Sequence, residues 1–270
     1  MAEVYSSTTA SIPLPSSTND LSAVEEGKAS PSNSHVSTGT NMTVPTIIAE
    51  LVGSYVIIFI GCGSLMIEKR YGLTIVGIGV AWGLAVMVMI YSLGHVSGGH
   101  FNSAVTITFA ASRKFPWREM PGYVLAQLAG STLAILTLKL MFHGTVDIRC
   151  TVTQYLRPTT NCEALGWEFI ISFVLMLAIC GVATDTRAIN ELSGVTVGAT
   201  VLMNVLIAWN ITGASMNPAR SIAAAIVSKE FRCLWVYVVA PIVGMVMACM
   251  IYSLLRLPMN QRCQESPKRV

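Results

Sequence analysis

Two asparagines carry the clearest chemistry in this chain. Asn102 sits in SGGHFNSAV (residues 97–105) and Asn217 in GASMNPARS (residues 213–221), each between long apolar stretches. Asparagine is a strong helix N-cap, because its side-chain oxygen accepts from a first-turn N–H that otherwise lacks a partner. Its NH2 is then free to donate into the space beyond. Arg220, three residues after Asn217, adds five N–H donors on a permanently charged group. Glu50 and Glu168 lie within apolar runs, where an ionisable side chain is a functional candidate by default. Two readings are open for them. They are proton-relay carboxylates of an ion-coupled secondary transporter, or they accept hydrogen bonds from exposed N–H groups of neighbouring irregular loops. His95 and His100 are candidates for pH sensing, against a reading in which His100 packs or lines its loop. The four histidines form no cluster with Cys or Asp at ligand spacing, so no metal is expected. No Gly-x-Ser-x-Gly, Walker or His-Glu-x-x-His pattern occurs, so no catalytic residue, enzyme activity or cofactor is expected.

The elements that position these groups must cross a bilayer. Of 270 residues, 53% are hydrophobic and 11% charged, against about 25% charged in a soluble domain. Six apolar stretches, approximately 45–67, 74–94, 120–142, 164–183, 194–212 and 233–256, each approach the roughly 20 residues a spanning helix needs. Two shorter stretches, 102–111 and 217–227, begin at the asparagines and have the length of re-entrant segments. The predicted fold is therefore an all-α membrane protein with six transmembrane helices and two re-entrant half-helices. Residues 1–43, rich in Ser, Thr, Pro and Asn, read as a disordered cytoplasmic tail. Residues 44–256 form the expected channel domain, and 257–270 a second cytoplasmic tail. The side holding both tails carries nine Lys and Arg residues against six on the other, which predicts cytoplasmic termini. A net charge of +3 without basic–aromatic interleaving gives no sign of a nucleic-acid partner.

The chain repeats itself, from about 44–142 to about 163–256. AELVGSYVIIFIG (49–61) aligns with WEFIISFVLMLAI (167–179) and matches Glu50 to Glu168. Asn102 and Ala104 match Asn217 and Ala219 at an offset of 115 residues, and YVLAQLAG (123–130) matches YVVAPIVG (237–244) at 114. Three spans per copy is an odd number, so the second copy enters from the opposite side. Such inverted repeats place the substrate route at their interface near the midplane. The half-helix N-termini then meet at the membrane centre. Irregular backbone at that depth must be packed in protein or line a water-filled cavity, which implies a pore.

HVSGGHFNSAVT and GASMNPARS resemble the two signature loops of the major intrinsic protein family, the aquaporins and aquaglyceroporins. AWGLAVMVMIYSLGHVSG and the Ser-rich N-terminal tail are most similar to the plant nodulin-type members. The resemblance implies a homotetramer with one pore per subunit, integral in the plasma membrane or an endomembrane. It implies an outer constriction at Trp82, Val205, Ala214 and Arg220, with Asn102, Ser103, Ala104 and Asn217, Pro218, Ala219 at the pore centre. Backbone carbonyls around Gly98, Gly99 and His100 and around Gly213, Ala214 and Ser215 are expected to form an acceptor ladder. Ser103 stands where the family usually has proline, restoring an N–H and loosening φ. The expected function is passive passage of small uncharged solutes, glycerol-like polyols with some water. Resemblance adds boric or arsenous acid, ammonia and undissociated lactic acid. Gly79 and Gly83 suit close helix contact, Gln127 a core hydrogen bond, and Cys150 and Cys162 share a polar loop in which they could pair.

Overall fold

The computed structural model describes residues 43–256. The two tails lie outside the described residues, and with them Asn41, whose Asn-Met-Thr run matches a glycosylation acceptor pattern, and Ser266, which precedes Pro267 in a basic tail and is a phosphorylation candidate. Six long helices are α1 (Val44–Tyr71), α2 (Ile75–Ser97), α4 (Met120–Met141), α5 (Asn161–Ile179), α6 (Ser193–Thr212) and α8 (Leu234–Leu255). Two short ones are α3 (Ser103–Ala111) and α7 (Pro218–Ser228). All six long helices are long and apolar enough to cross a membrane. Their outward side chains are apolar too, as at Leu125, Leu133, Val239 and Met250. A helix apolar on every side needs lipid on its outer face. The chain is an integral, multi-pass membrane protein.

The ends of these helices follow local chemistry. Thr160 and Glu163 form a capping box at the start of α5, which satisfies first-turn donors reciprocally. Gly98 closes α2 and Gly213 closes α6, both left-handed with φ of 88° and 82°, a conformation glycine adopts without steric cost. α1 runs four residues beyond the expected span and ends in Glu68, Lys69 and Arg70, a polar turn that suits the membrane surface. Past α5 the backbone winds one π turn, Cys180–Thr184. Beyond it, hydrogen bonds from Arg187 hold the Asp185 carboxyl well below the usual carboxylate range.

Helices α1 to α4 recur as α5 to α8, inverted. α1 packs on α4 as α5 packs on α8. A Cβ on Gly130 would overlap the Leu51 carbonyl oxygen, and one on Gly244 would overlap that of Phe169. At the centre α2 crosses α6. A Cβ on Gly83 would fall 2.6 Å from the Gly198 oxygen, and one on Gly198 would fall 2.5 Å from the Gly83 oxygen. These glycines are 115 residues apart, so the reciprocal contact marks the axis relating the repeats. Of the pair Gly79 and Gly83, Gly83 makes the close approach. The half-helices cross between copies: α3 packs on α8, and α7 on α4. Each repeat completes the other's core.

Gly130→Ala is expected to push α1 from α4 and lower the unfolding free energy by about 1–3 kcal/mol, the usual cost of overpacking. Gly166→Ala is the control, since nothing lies within 4 Å of a Cβ there. Thermal melts in detergent should separate the two; equal melting temperatures would contradict the packing described.

Candidate functional site

The loops before α3 and α7 share one backbone path. Gly98, Gly99 and Phe101 have φ of 88°, 66° and 46°, and Gly213, Ala214 and Met216 have 82°, 43° and 55°. The left-handed region is unfavourable for residues with a Cβ, by roughly 1–2 kcal/mol each. Phe101, Ala214 and Met216 hold it because surrounding hydrogen bonds outweigh that strain. The Glu50 carboxyl accepts from the N–H of His100 at 2.9 Å and of Phe101 at 2.7 Å. It also accepts from Ser97 Oγ at 2.7 Å and Gln127 Nε2 at 2.8 Å. Glu168 accepts from the N–H of Ser215 at 2.9 Å and of Met216 at 3.0 Å, and from Thr212 Oγ1 at 2.6 Å. Every one of these partners is a donor, so both carboxyls serve as acceptors. Both are fully buried and neither lines the cavity described below.

The half-helix tips meet. Asn102 Oδ1 accepts from the Ala104 N–H at 2.9 Å, and Asn217 Oδ1 from the Ala219 N–H at 3.0 Å. Each amide then reaches across the repeat junction. Asn102 Nδ2 donates to the Met216 carbonyl at 2.8 Å and Asn217 Nδ2 to the Phe101 carbonyl at 3.0 Å. The NH2 groups that capping leaves free to donate thus find acceptors across the junction. A buried carbonyl in the opposite loop needs a donor, and each asparagine commits one of its two hydrogens to it. Ser103 adds a further link, its Oγ accepting from the Ala219 N–H at 3.0 Å. Ser103, Ala104, Pro218 and Ala219 are buried at this junction and do not line the cavity described below.

A cavity of about 420 Å³ passes the tips and is lined there by Asn102 and Asn217. Trp82, Val205, Ala214 and Arg220 come together on its wall. The Arg220 guanidinium carbon stands 4.8 Å from the Trp82 ring centroid, within cation–π range. Arg220 is 2% exposed, yet its Nε and Nη1 have no hydrogen-bond partner among the described residues, and neither has Trp82 Nε1. Gly61 makes room for the indole, since a Cβ there would overlap it. Gly98, Gly99, His100 and Ser215 also line the cavity. Gly213 does not: it is the α6 cap, its N–H bonded to the Trp209 carbonyl at 2.9 Å. The His100 ring packs against Phe109, Phe115 and Tyr123, with Nδ1 3.1 Å from Thr106 Oγ1.

Several supporting residues escaped the sequence reading. Ser97 and Thr212 bond the two glutamates, and their carbonyls accept from Tyr123 Oη at 2.8 Å and Tyr237 Oη at 2.7 Å. The repeat offset relates both pairs and was the available signal. Asn204 Nδ2 donates to the Ile171 carbonyl at 2.8 Å and lies 3.1 Å from Met216 Sδ; its repeat mate is Met89, so no symmetry announced it. Cys150 and Cys162 are both free thiols.

Comparison with known proteins places this geometry. A model of the family described as Major intrinsic protein matches residues 37–252. The chain is 48% identical over 242 residues to Aquaporin NIP1-1 of Zea mays, covering 88% of this chain and 85% of that one. It is 47% identical over 212 residues to Nodulin-26 of Glycine max, covering 78% and 77%. The X-ray structure of the aquaglyceroporin from Plasmodium falciparum matches with a TM-score of 0.73 at 28% identity, over 77% of this chain and 95% of that one.

The two carboxyls are expected to differ under amide substitution. Glu168→Gln turns an NH2 toward donors and should lower stability by about 3 kcal/mol, on the scale of hydrogen bonds to charged groups. Glu50→Gln should cost less, because Gln127 Oε1 has no partner and can accept once the amide turns. Melting temperatures in detergent check the order. Ser103→Ala should cost about 1 kcal/mol through its lost acceptor.

Proposed function

Because this chain belongs to the major intrinsic protein family and so acts as a passive membrane channel, we propose that it conducts glycerol-like polyols with some water. The reading extends to small uncharged hydroxy acids such as boric, arsenous and undissociated lactic acid, and to ammonia. The observation that carries it is the Arg220 guanidinium, without a partner at Nε and Nη1 and stacked beside the Trp82 ring, in a cavity wall that Val205 and Ala214 also line. A polyol slides with its carbons on the indole and its hydroxyls toward Arg220. A single file of water finds fewer partners for the hydrogen bonds it gives up at the apolar walls. Two half-helix N-termini at the pore centre, each equivalent to roughly half a positive charge, together with Arg220 oppose cations and protons.

The placement of Glu50 and Glu168 argues against ion coupling. A relay carboxylate must meet the permeating path, whereas both are saturated with donors behind it. The excess of Lys and Arg on the side of the tails supports cytoplasmic termini. The channel domain is proposed to span residues 44–256 and to assemble as a homotetramer in the plasma membrane or an endomembrane.

In proteoliposomes, glycerol flux is expected to rise linearly with its gradient and to ignore imposed pH or sodium gradients. Flux that saturates and follows an ion would replace the channel with a transporter. Trp82→His combined with Val205→His should lower glycerol flux relative to water; an unchanged ratio would remove these residues from the filter.

A further inference from the structure

The loop between α3 and α4 reads SRKFPWRE (112–119) and sets three cations, Arg113, Lys114 and Arg118, against one carboxylate, Glu119. Two spans, α1 and α2, return the chain to the side on which α1 begins, so the loop lies on the face that holds both tails. One of its aromatics is tucked in. The Phe115 ring stands 4.9 Å from that of His100 and 4.7 Å from that of Tyr123. The backbone is held as well: the N–H groups of Lys114 and Phe115 donate to the Phe109 carbonyl at 2.8 and 3.2 Å, and that of Glu119 to the Pro116 carbonyl at 3.1 Å. The second aromatic, Trp117, is 54% exposed. A tryptophan at a membrane boundary sits at headgroup level, its body toward hydrocarbon and its N–H toward water.

The loop adjoins a surface that lipid chains cover. Lys114 Nζ donates to Thr184 Oγ1 at 3.1 Å and Arg256 Nη2 to the Thr184 carbonyl at 2.7 Å, which joins the loop to the end of α8. Leu254 and Leu255 are exposed there, and Leu125 is exposed near the start of α4.

Most other cations are matched within the fold. On the opposite face Lys69 meets Glu68, Arg149 meets Asp147, and Arg232 donates to Gln154. On the tail face Arg187 meets Asp185. Arg113 and Arg118, one on each side of Trp117 in the loop, are exposed and have no ion pair among the described residues. A guanidinium fork matches a phosphate in two parallel hydrogen bonds.

We infer that the 112–119 loop binds an anionic phospholipid of the tail-side leaflet, its phosphate against Arg113 and Arg118 and its chains over the outward leucines of α4 and α8. Charge and apolar surface lie side by side here, and a lipid matches both. A zwitterionic headgroup brings its own ammonium to the same cations and gains less. A free phosphate leaves the apolar surface uncovered. The count of Lys and Arg that orients a membrane protein takes no account of pairing; the two unmatched arginines beside an exposed indole mark one place on that face.

The test is native mass spectrometry of the full chain in detergent, with dioleoyl phosphatidylglycerol and dioleoyl phosphatidylcholine at equal concentration. Each Lys or Arg at an anionic surface is worth about fivefold, so the glycerol lipid should be retained at least about tenfold over the choline lipid. Arg113→Gln with Arg118→Gln should erase the preference. Arg157→Gln with Lys229→Gln, a pair on the opposite face, should leave it unchanged. All four side chains are exposed, so neither variant should lose the fold. Equal retention of the two lipids by the unsubstituted chain would overturn the inference, as would a preference that survives the loss of Arg113 and Arg118 or falls equally in the opposite-face variant. Excess glycerol 3-phosphate should leave the bound lipid in place; displacement would make this a site for soluble anions and overturn the lipid.

Discussion

A bilayer offers no water to a backbone that leaves the helix, so every N–H and C=O freed there must find a partner within the protein. Two loops of this chain break at that depth, and the architecture follows from how they are satisfied. The N–H groups of His100 and Phe101 point to Glu50, and those of Ser215 and Met216 to Glu168. The carbonyls of Phe101 and Met216 have no donor in their own repeat and take one from the asparagine of the other. Each break depends on the other repeat for one carbonyl partner. The reciprocal pair holds the tips together and leaves one amide hydrogen of each asparagine for the passage.

The frame is symmetric, and its departures from symmetry are informative. Arg220 and Trp82 face each other at one level where the inverted copy offers Val105 and Val197. A second arginine at 105 would place another buried cation beside the same two helix N-termini, at high electrostatic cost. Gln127 donates to Glu50, whereas its mate Pro241 carries no donor, so Glu168 is held by three hydrogen bonds against four. Ser103 replaces proline's rigid start with an acceptor for Ala219, tightening the junction by a bond that the Pro218 side cannot return.

Both the buried carboxyls and the unpartnered cation take their meaning from burial. A glutamate inside apolar sequence reads equally as a proton relay or as a structural acceptor. Encirclement by donors makes it an acceptor. An arginine reads equally as a surface charge or as a filter. At 2% exposure Arg220 is no surface charge, and it lines the cavity beside the Trp82 ring.

Much of this architecture is legible in the sequence alone. Hydropathy runs near 20 residues, two truncated runs beginning at asparagine and an odd number of spans per copy require six helices, two half-helices and inversion. That information is local and periodic, carried by spacing along the chain. What the asparagine NH2 groups do was not legible, because their acceptors lie 114 and 116 residues away. The Ser103 contact, the support from Asn204 and the withdrawal of Gly213 from the passage were likewise settled by tertiary structure. Each depends on which atoms of the other repeat arrive within hydrogen-bonding range, and no pattern within one repeat encodes that distance.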